Sequence, residues 1–162
     1  MSRIKKSAVA RREKSALSRE KIEKFLKKSK TYLGAIYINS FNKFLVNTKR
    51  YSLVIYCNFH WFCIYSTEKT FEIFDPLGFL QKAKCFSAKF FTFLKSHIAG
   101  KTLKCNPQIQ SRESFFCGYY VVFYIYMRDL GHSFIDILNK FSSNFVKNDS
   151  FVVKAVNKMF KR

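Results

Sequence analysis

The chain has 162 residues, enough for one domain with a real core, and 48% of them are hydrophobic, with 20 Phe but only 5 Gly and 2 Pro. That excludes a disordered or low-complexity chain. The 30 Lys and Arg against 10 Asp and Glu give a net charge of +20, an excess that repels itself in a compact fold and points to a polyanionic partner, nucleic acid before an anionic membrane.

Residues 1–30 hold 12 of the basic residues and three Glu. Arg3, Lys5, Lys6, Arg11, Arg12 and Lys14 read as a basic arm and are the candidate nucleic-acid contacts. From Ser15 the pattern turns helical, with Leu17, Ile22, Phe25 and Leu26 on one stripe. Residues 1–30 are therefore expected to form an arm and helix, and 31–162 the main domain. Strand-like runs follow at 31–38, 52–66 and 69–74, rich in β-branched and aromatic residues. Residues 81–98 read as a helix with Cys85, Phe86, Phe90, Phe93 and Leu94 on a broad face. Residues 101–110 read as a strand and loop broken at Asn106-Pro107. Cys117 to Leu130 is apolar nearly all round, which predicts a buried helix ending at Gly131. One or two further helices begin at Ser133. The order of elements predicts an α+β fold.

The opening is too polar for a secretory signal, and the most apolar run, FFCGYYVVFYIYM, is too short to span a bilayer. Five cysteines (57, 63, 85, 105 and 117) in no CxxC spacing argue against a disulfide framework or a zinc site. A soluble, intracellular monomer with no metal, organic cofactor or membrane partner is the expectation.

Two polar residues interrupt the strand region. A tight hairpin around Thr67-Glu68 pairs His60 directly with Asp75 and leaves the rival carboxylate, Glu72, on the opposite face. A carboxylate accepting the Nδ1 hydrogen fixes the histidine tautomer and leaves Nε2 to take a proton from a nucleophile. Cys117, at the N-terminus of a helix, has a setting that favours thiolate. Gly118 beside it leaves room for a substrate backbone. Gln110, seven residues earlier, offers an amide to a developing oxyanion, together with the Cys117 backbone N–H. Each piece alone has a plain structural explanation: a satisfied core histidine, an Asp-Pro turn, a small buried thiol, a loop amide. Their joint order is harder to explain that way.

His60-Trp61, the run FDPLGF at 74–79, Gln110 followed by Cys117-Gly118, and Tyr32-Leu33-Gly34 together resemble the adenovirus protease (adenain) family. That family shares its catalytic arrangement with ubiquitin-like-protein proteases. The resemblance, over roughly residues 31–130, implies a papain-like cysteine protease domain with a mixed sheet packed between helices and the nucleophile at the N-terminus of a buried helix. It assigns catalysis to His60, Asp75, Cys117 and Gln110, and substrate binding to Trp61 and Gly118. It implies cleavage of viral precursor proteins after glycine, in virions and the host nucleus. DNA is the implied activator, with an activator peptide as a further one. Cys105 departs from the position of the cysteine that tethers that peptide in the family. Two other readings stand beside this one: a SUMO-type protease, where Phe116 replaces the usual Asp before the nucleophile, and a non-enzymatic basic nucleic-acid-binding virion protein.

Overall fold

The computed structural model describes residues 16–43, 46, 48–78 and 86–161. The candidate nucleic-acid residues Arg3, Lys5, Lys6, Arg11, Arg12 and Lys14 lie outside these, as do Phe79 and Cys85. In chain order the elements are α1 (Arg19–Leu26), β1 (Tyr32–Tyr37), a 3₁₀ helix (Ile38–Lys43), β2 (Tyr51–Cys57), β3 (His60–Ser66), β4 (Thr70–Phe74), α2 (Ala88–Ile98), β5 (Thr102–Cys105), α3 (Cys117–Asp129), α4 (Phe134–Leu138) and α5 (Phe145–Met159). The fold is α+β. The five strands form one mixed sheet in sequence order, parallel at β1–β2 and β4–β5 and antiparallel between.

Alternation along the central strands feeds two cores. Leu53, Ile55, Phe62, Ile64, Phe71 and Ile73 pack with α2 residues Phe90, Phe93 and Leu94. Val54, Cys63, Tyr65 and Phe74 pack with α3. Every residue of β3 is buried. A strand covered on both faces reads as a continuous apolar run. For that reason 52–66 looked like one strand, whereas Asn58 and Phe59, at φ 48° and 61°, make a two-residue turn that splits it into β2 and β3. Side chains from before residue 31 also contribute to this packing. Leu17, Ile22 and Leu26 belong to the core on the α3 side.

Serines start three of the described helices, beginning with Ser18, which caps α1 by accepting from the Lys21 N–H. Ser87 caps α2 by accepting from the Phe90 N–H, and Ser133 forms a capping box with Asp136 at α4.

Glu72 locks the far end of α3 to the sheet. It is wholly buried and accepts hydrogen bonds from Tyr124 Oη at 2.6 Å and from Arg128 Nε and Nη2 at 2.8 and 3.1 Å. Truncating one partner of such a pair strands the other charge in a dry interior. Arg128→Ala should therefore lower unfolding free energy by about 3–5 kcal/mol in urea denaturation. A loss below about 1 kcal/mol, typical of an exposed pair, would show that Glu72 does not depend on it.

Candidate active site

His60, Asp75 and Cys117 come together at one end of β3, from a strand, a turn and a helix start. His60 opens β3 directly after the Asn58-Phe59 turn. Asp75 follows β4 and begins the turn Asp75-Pro76-Leu77-Gly78, closed by the Gly78 N–H donating to the Asp75 carbonyl at 2.8 Å. Pro76 presets the turn, and Gly78 supplies its φ of +82° with the Gln108 backbone too close for a comfortable Cβ. The Asp75 carboxylate is oriented by its own chain: Oδ1 accepts from the Leu77 N–H at 2.9 Å.

The imidazole meets that carboxylate through Nε2, 2.6 Å from Oδ1, with both side chains almost fully buried. The expected roles of the two ring nitrogens are thus exchanged. The sulfur of Cys117 lies against the backbone, 3.4 Å from the Trp61 N–H that donates to it. The ring nitrogen nearer the backbone, Nδ1, is therefore the one left for the thiol, while Nε2 reaches outward to Asp75.

The expected hairpin register is also corrected. In β3–β4 the pairs are Cys63–Phe74, Ile64–Ile73, Tyr65–Glu72 and Ser66–Phe71. The chain turns over four residues because Thr67 organises it: its hydroxyl accepts from the Thr70 N–H at 2.9 Å, and its own N–H donates to the Thr70 carbonyl at 2.9 Å. The shift is two residues, so every side chain keeps its face. His60 and Asp75 become diagonal neighbours instead of direct ones, and Glu72 stays on the opposite face.

Burial pulls the His60 pKa down, but hydrogen bonds to Asp75 and Cys117 and the negative charge on both outweigh it, and the pKa is pushed up to about 9 from 6.5. Tyr56 also senses the sulfur: burial first, then the Cys117 charge, raises its phenol. Tyr56 lies in an aromatic row from exposed Tyr37, 5.6 Å away, to Trp61, 4.6 Å away.

The remaining expected site residues sit differently. Trp61 is buried and its Nε1 donates to the Leu17 carbonyl at 3.1 Å. The space over Gly118 belongs to Leu17, whose Cβ lies 2.8 Å from where a Cβ would stand. Glycine there admits the segment before α1, not a substrate backbone. Gln110 is wholly buried, and its Nε2 donates to Ser114 Oγ at 2.9 Å while its Oε1 has no partner. Its backbone N–H and that of Ile109 donate to the Pro76 carbonyl at 3.0 and 2.9 Å, tying the Gln110 loop to the Asp75 turn.

One site residue went unrecognised. Buried Asn106, expected only to end a strand with Pro107, grips the Asp75 backbone at both groups: Oδ1 accepts from Asp75 N–H at 2.8 Å and Nδ2 donates to its carbonyl at 2.7 Å. An asparagine before proline offered no sign of this beyond its type. Among the described residues there is no group of three or more His, Cys, Asp or Glu that could hold a metal, and no helix long and apolar enough to cross a membrane.

No family model and no curated protein matches the chain. Among solved structures, the central domain of the uncharacterized Lpg1148 protein from Legionella pneumophila is similar, with a TM-score of 0.58 and 11% identity over 90% of this chain and 97% of that one. At that identity the likeness shows a shared fold alone. A de-sumoylating protease aligns with a TM-score of 0.39 and 17% identity over 86% of this chain and 68% of that one, too low to carry an argument.

The raised His60 pKa has a direct test. The charged imidazole is stabilised in the folded state, so its contribution is complete below about 6.5 and is lost as pH rises through about 9. The His60 ring resonance should titrate near 9 in the folded chain, as one step of a coupled pair. Asp75→Asn should move that titration down, and an unmoved midpoint would show that Asp75 does not hold the proton.

Proposed function

We propose that the chain is a cysteine peptidase, papain-like in arrangement, and the observation that carries this reading is one buried imidazole placed between a carboxylate and a thiol. A core histidine needs one partner; this one meets the Asp75 carboxylate through Nε2 and also interacts with the Cys117 side chain. In the proposed reaction Cys117 Sγ, as thiolate beside the His60 imidazolium, attacks the scissile carbonyl. The carbonyl oxygen becomes an oxyanion held by the Cys117 N–H and the Gln110 amide. His60 gives its proton to the leaving amine, which departs as the C–N bond breaks and leaves a thioester. Water, deprotonated by His60, then attacks the thioester and restores the thiol. Asp75 keeps the ring oriented throughout.

The finer reading is an adenain-like endopeptidase that cuts viral precursor proteins after glycine and is stimulated by DNA. Its supports are the FDPLG run, whose Pro and Gly build the turn that aims Asp75, and the net charge of +20. Phosphate contacts made by such a charge excess are independent of sequence and weaken with salt.

The test is labelling with a thiol-reactive peptide probe ending in glycine, with and without DNA, at low and high salt. Labelling should require Cys117, disappear in Cys117→Ala, and rise with DNA only at low salt. Labelling that ignores DNA removes the cofactor and keeps the enzyme. No Cys117-dependent labelling of the folded protein refutes the peptidase. Preference for a free diglycine tail over an internal glycine site would move the substrate to ubiquitin-like proteins.

Two carboxylate variants separate chemistry from stability. Asp75→Asn should lower kcat by about 10²–10⁴-fold, the range of general acid–base assistance. Glu72→Gln should lower the melting temperature and leave the turnover of folded protein near wild type. The reverse pattern would exchange the two carboxylates.

A further inference from the structure

Helix α5 turns a basic face outward. Lys147, Ser150, Lys154, Asn157 and Lys158 are all exposed and recur at the helical repeat. The three lysines stand within about 40° of one another around the helix axis, and about 10 Å and 6 Å apart along it. No acid shares the face. The one carboxylate of α5, Asp149, is half-buried and accepts from Tyr120 Oη at 2.8 Å. Among the described residues no carboxylate pairs with Lys147, Lys154 or Lys158. In α1, by contrast, Glu20 and Glu23 are interleaved with the bases, and Arg19 meets Glu23 at 2.8 Å. Lys147 and Lys154 also line one surface hollow, together with Ser150 and Phe151.

Lys154 and Lys158, four residues apart on one side of a helix, repel each other. An anion laid against the face relieves that repulsion. Packing decides which kind of anion fits. A helix that binds a membrane surface needs its apolar side free to enter lipid. The apolar side of α5 is already spent, with Val152 and Val156 buried in the core shared with α3. Phe151 rests on Phe123 and Phe141, ring centroids 5.2 and 6.0 Å away. What remains outward is a row of cations with a hydroxyl and an amide between them, over about 16 Å of helix. Duplex DNA carries one phosphate charge per about 1.7 Å of its axis, so a straight row of that length meets phosphates in any register.

We propose that the outward face of α5, through Lys147, Lys154 and Lys158, is a binding surface for the phosphate backbone of duplex DNA, with Ser150 and Asn157 as neutral donors beside them. This rests on the DNA-stimulated reading above, but on none of the cysteine chemistry. The surface reads no bases, because its contacts are to phosphate alone. It seats DNA on a helix packed against α3, whose first residue is Cys117.

The experiment titrates the full chain into two fluorescently labelled duplexes of unrelated sequence and follows anisotropy over a range of salt. In the triple variant Lys147→Gln, Lys154→Gln, Lys158→Gln, glutamine keeps a helix propensity close to that of lysine. A melting curve checks that the variant is folded. The slope of log K against log salt should become shallower by about 0.9 for each lysine removed, about 2–3 in all, with affinity for both duplexes falling together. Taking the same charge from the opposite end of the chain, as Lys21→Gln, Lys24→Gln, Lys28→Gln, should shift the slope by less than about 1. A folded α5 variant with the wild-type slope, or equal losses in both triple variants, overturns the surface and leaves DNA binding elsewhere on the chain. A wild type that binds neither duplex removes the DNA reading, and the surface with it. Binding to phosphatidylserine vesicles in place of the duplexes, lost in the α5 variant, transfers the face to a membrane and overturns the proposal. Cys117→Ala should bind DNA as the wild type does, so failure of the peptidase in its own labelling test leaves this result standing.

Discussion

The packing of α3 across β3 decides where everything else can be. Tyr120 to Ile125 are buried on successive sides of the helix, and Tyr124 stacks on Phe74 with ring centroids 4.1 Å apart. Polar bonds from Tyr124 and Arg128 to Glu72 fix its far end, so the helix has little freedom to slide along its axis. Its first residue is Cys117. The sulfur is therefore placed by a rigid body anchored a dozen residues away, and the Trp61 N–H needs only to receive it. Leu17 closes the same end from outside, over Gly118, where no larger residue fits.

Against that rigid element the other members are delivered by turns, each closed by one short polar side chain. Thr67 sets the β3–β4 register, Asp75 hydrogen-bonds its own turn, and Asn106 holds the Asp75 backbone from the next loop. The Pro76 carbonyl then accepts two N–H groups from Ile109 and Gln110. Position passes from β4 to the Asp75 turn, and from the turn to the loop that leads to Cys117. Backbone groups carry most of it, so the arrangement is stiffer than a set of side-chain contacts alone would be.

The same division explains what could be read in the sequence. Long periodic segments were legible: the buried helix from Cys117, the strands rich in β-branched residues, and the pairing of His60 with Asp75 in preference to Glu72. The last survived a wrong register because the error was two residues, and a period of two returns each side chain to its own face. Turn chemistry was not legible. Phe59 in a left-handed conformation, 94% exposed, breaks the rule that places Gly or Asn there, so the hairpin was hidden inside an unbroken aromatic run. Which ring nitrogen faces the thiol depends on how far the sulfur sits from the strand backbone, and no spacing encodes that. The role of Asn106 depends on its contact with the Asp75 turn across a loop, where local pattern has no purchase.

Two buried carboxylates three residues apart show what sets the candidate site apart from ordinary core chemistry. Glu72 is met by a guanidinium, a phenol and a threonine hydroxyl, donors that keep their hydrogens through the physiological range. Replacing such a cluster with apolar side chains of equal volume is often neutral or favourable, so its use is structural specificity at best. Asp75 is met instead by a backbone N–H and an imidazole, and that imidazole has a thiol on its other side. A ring that can lose its proton is a poor choice for holding a buried carboxylate, since the bond weakens as the ring is neutralised. It is a good choice where a proton has to move between a sulfur and a leaving group within a few ångströms. The fold shows with Glu72 that it can satisfy a buried acid with fixed donors; at Asp75 it uses a movable proton instead, beside the thiol that could give or receive it.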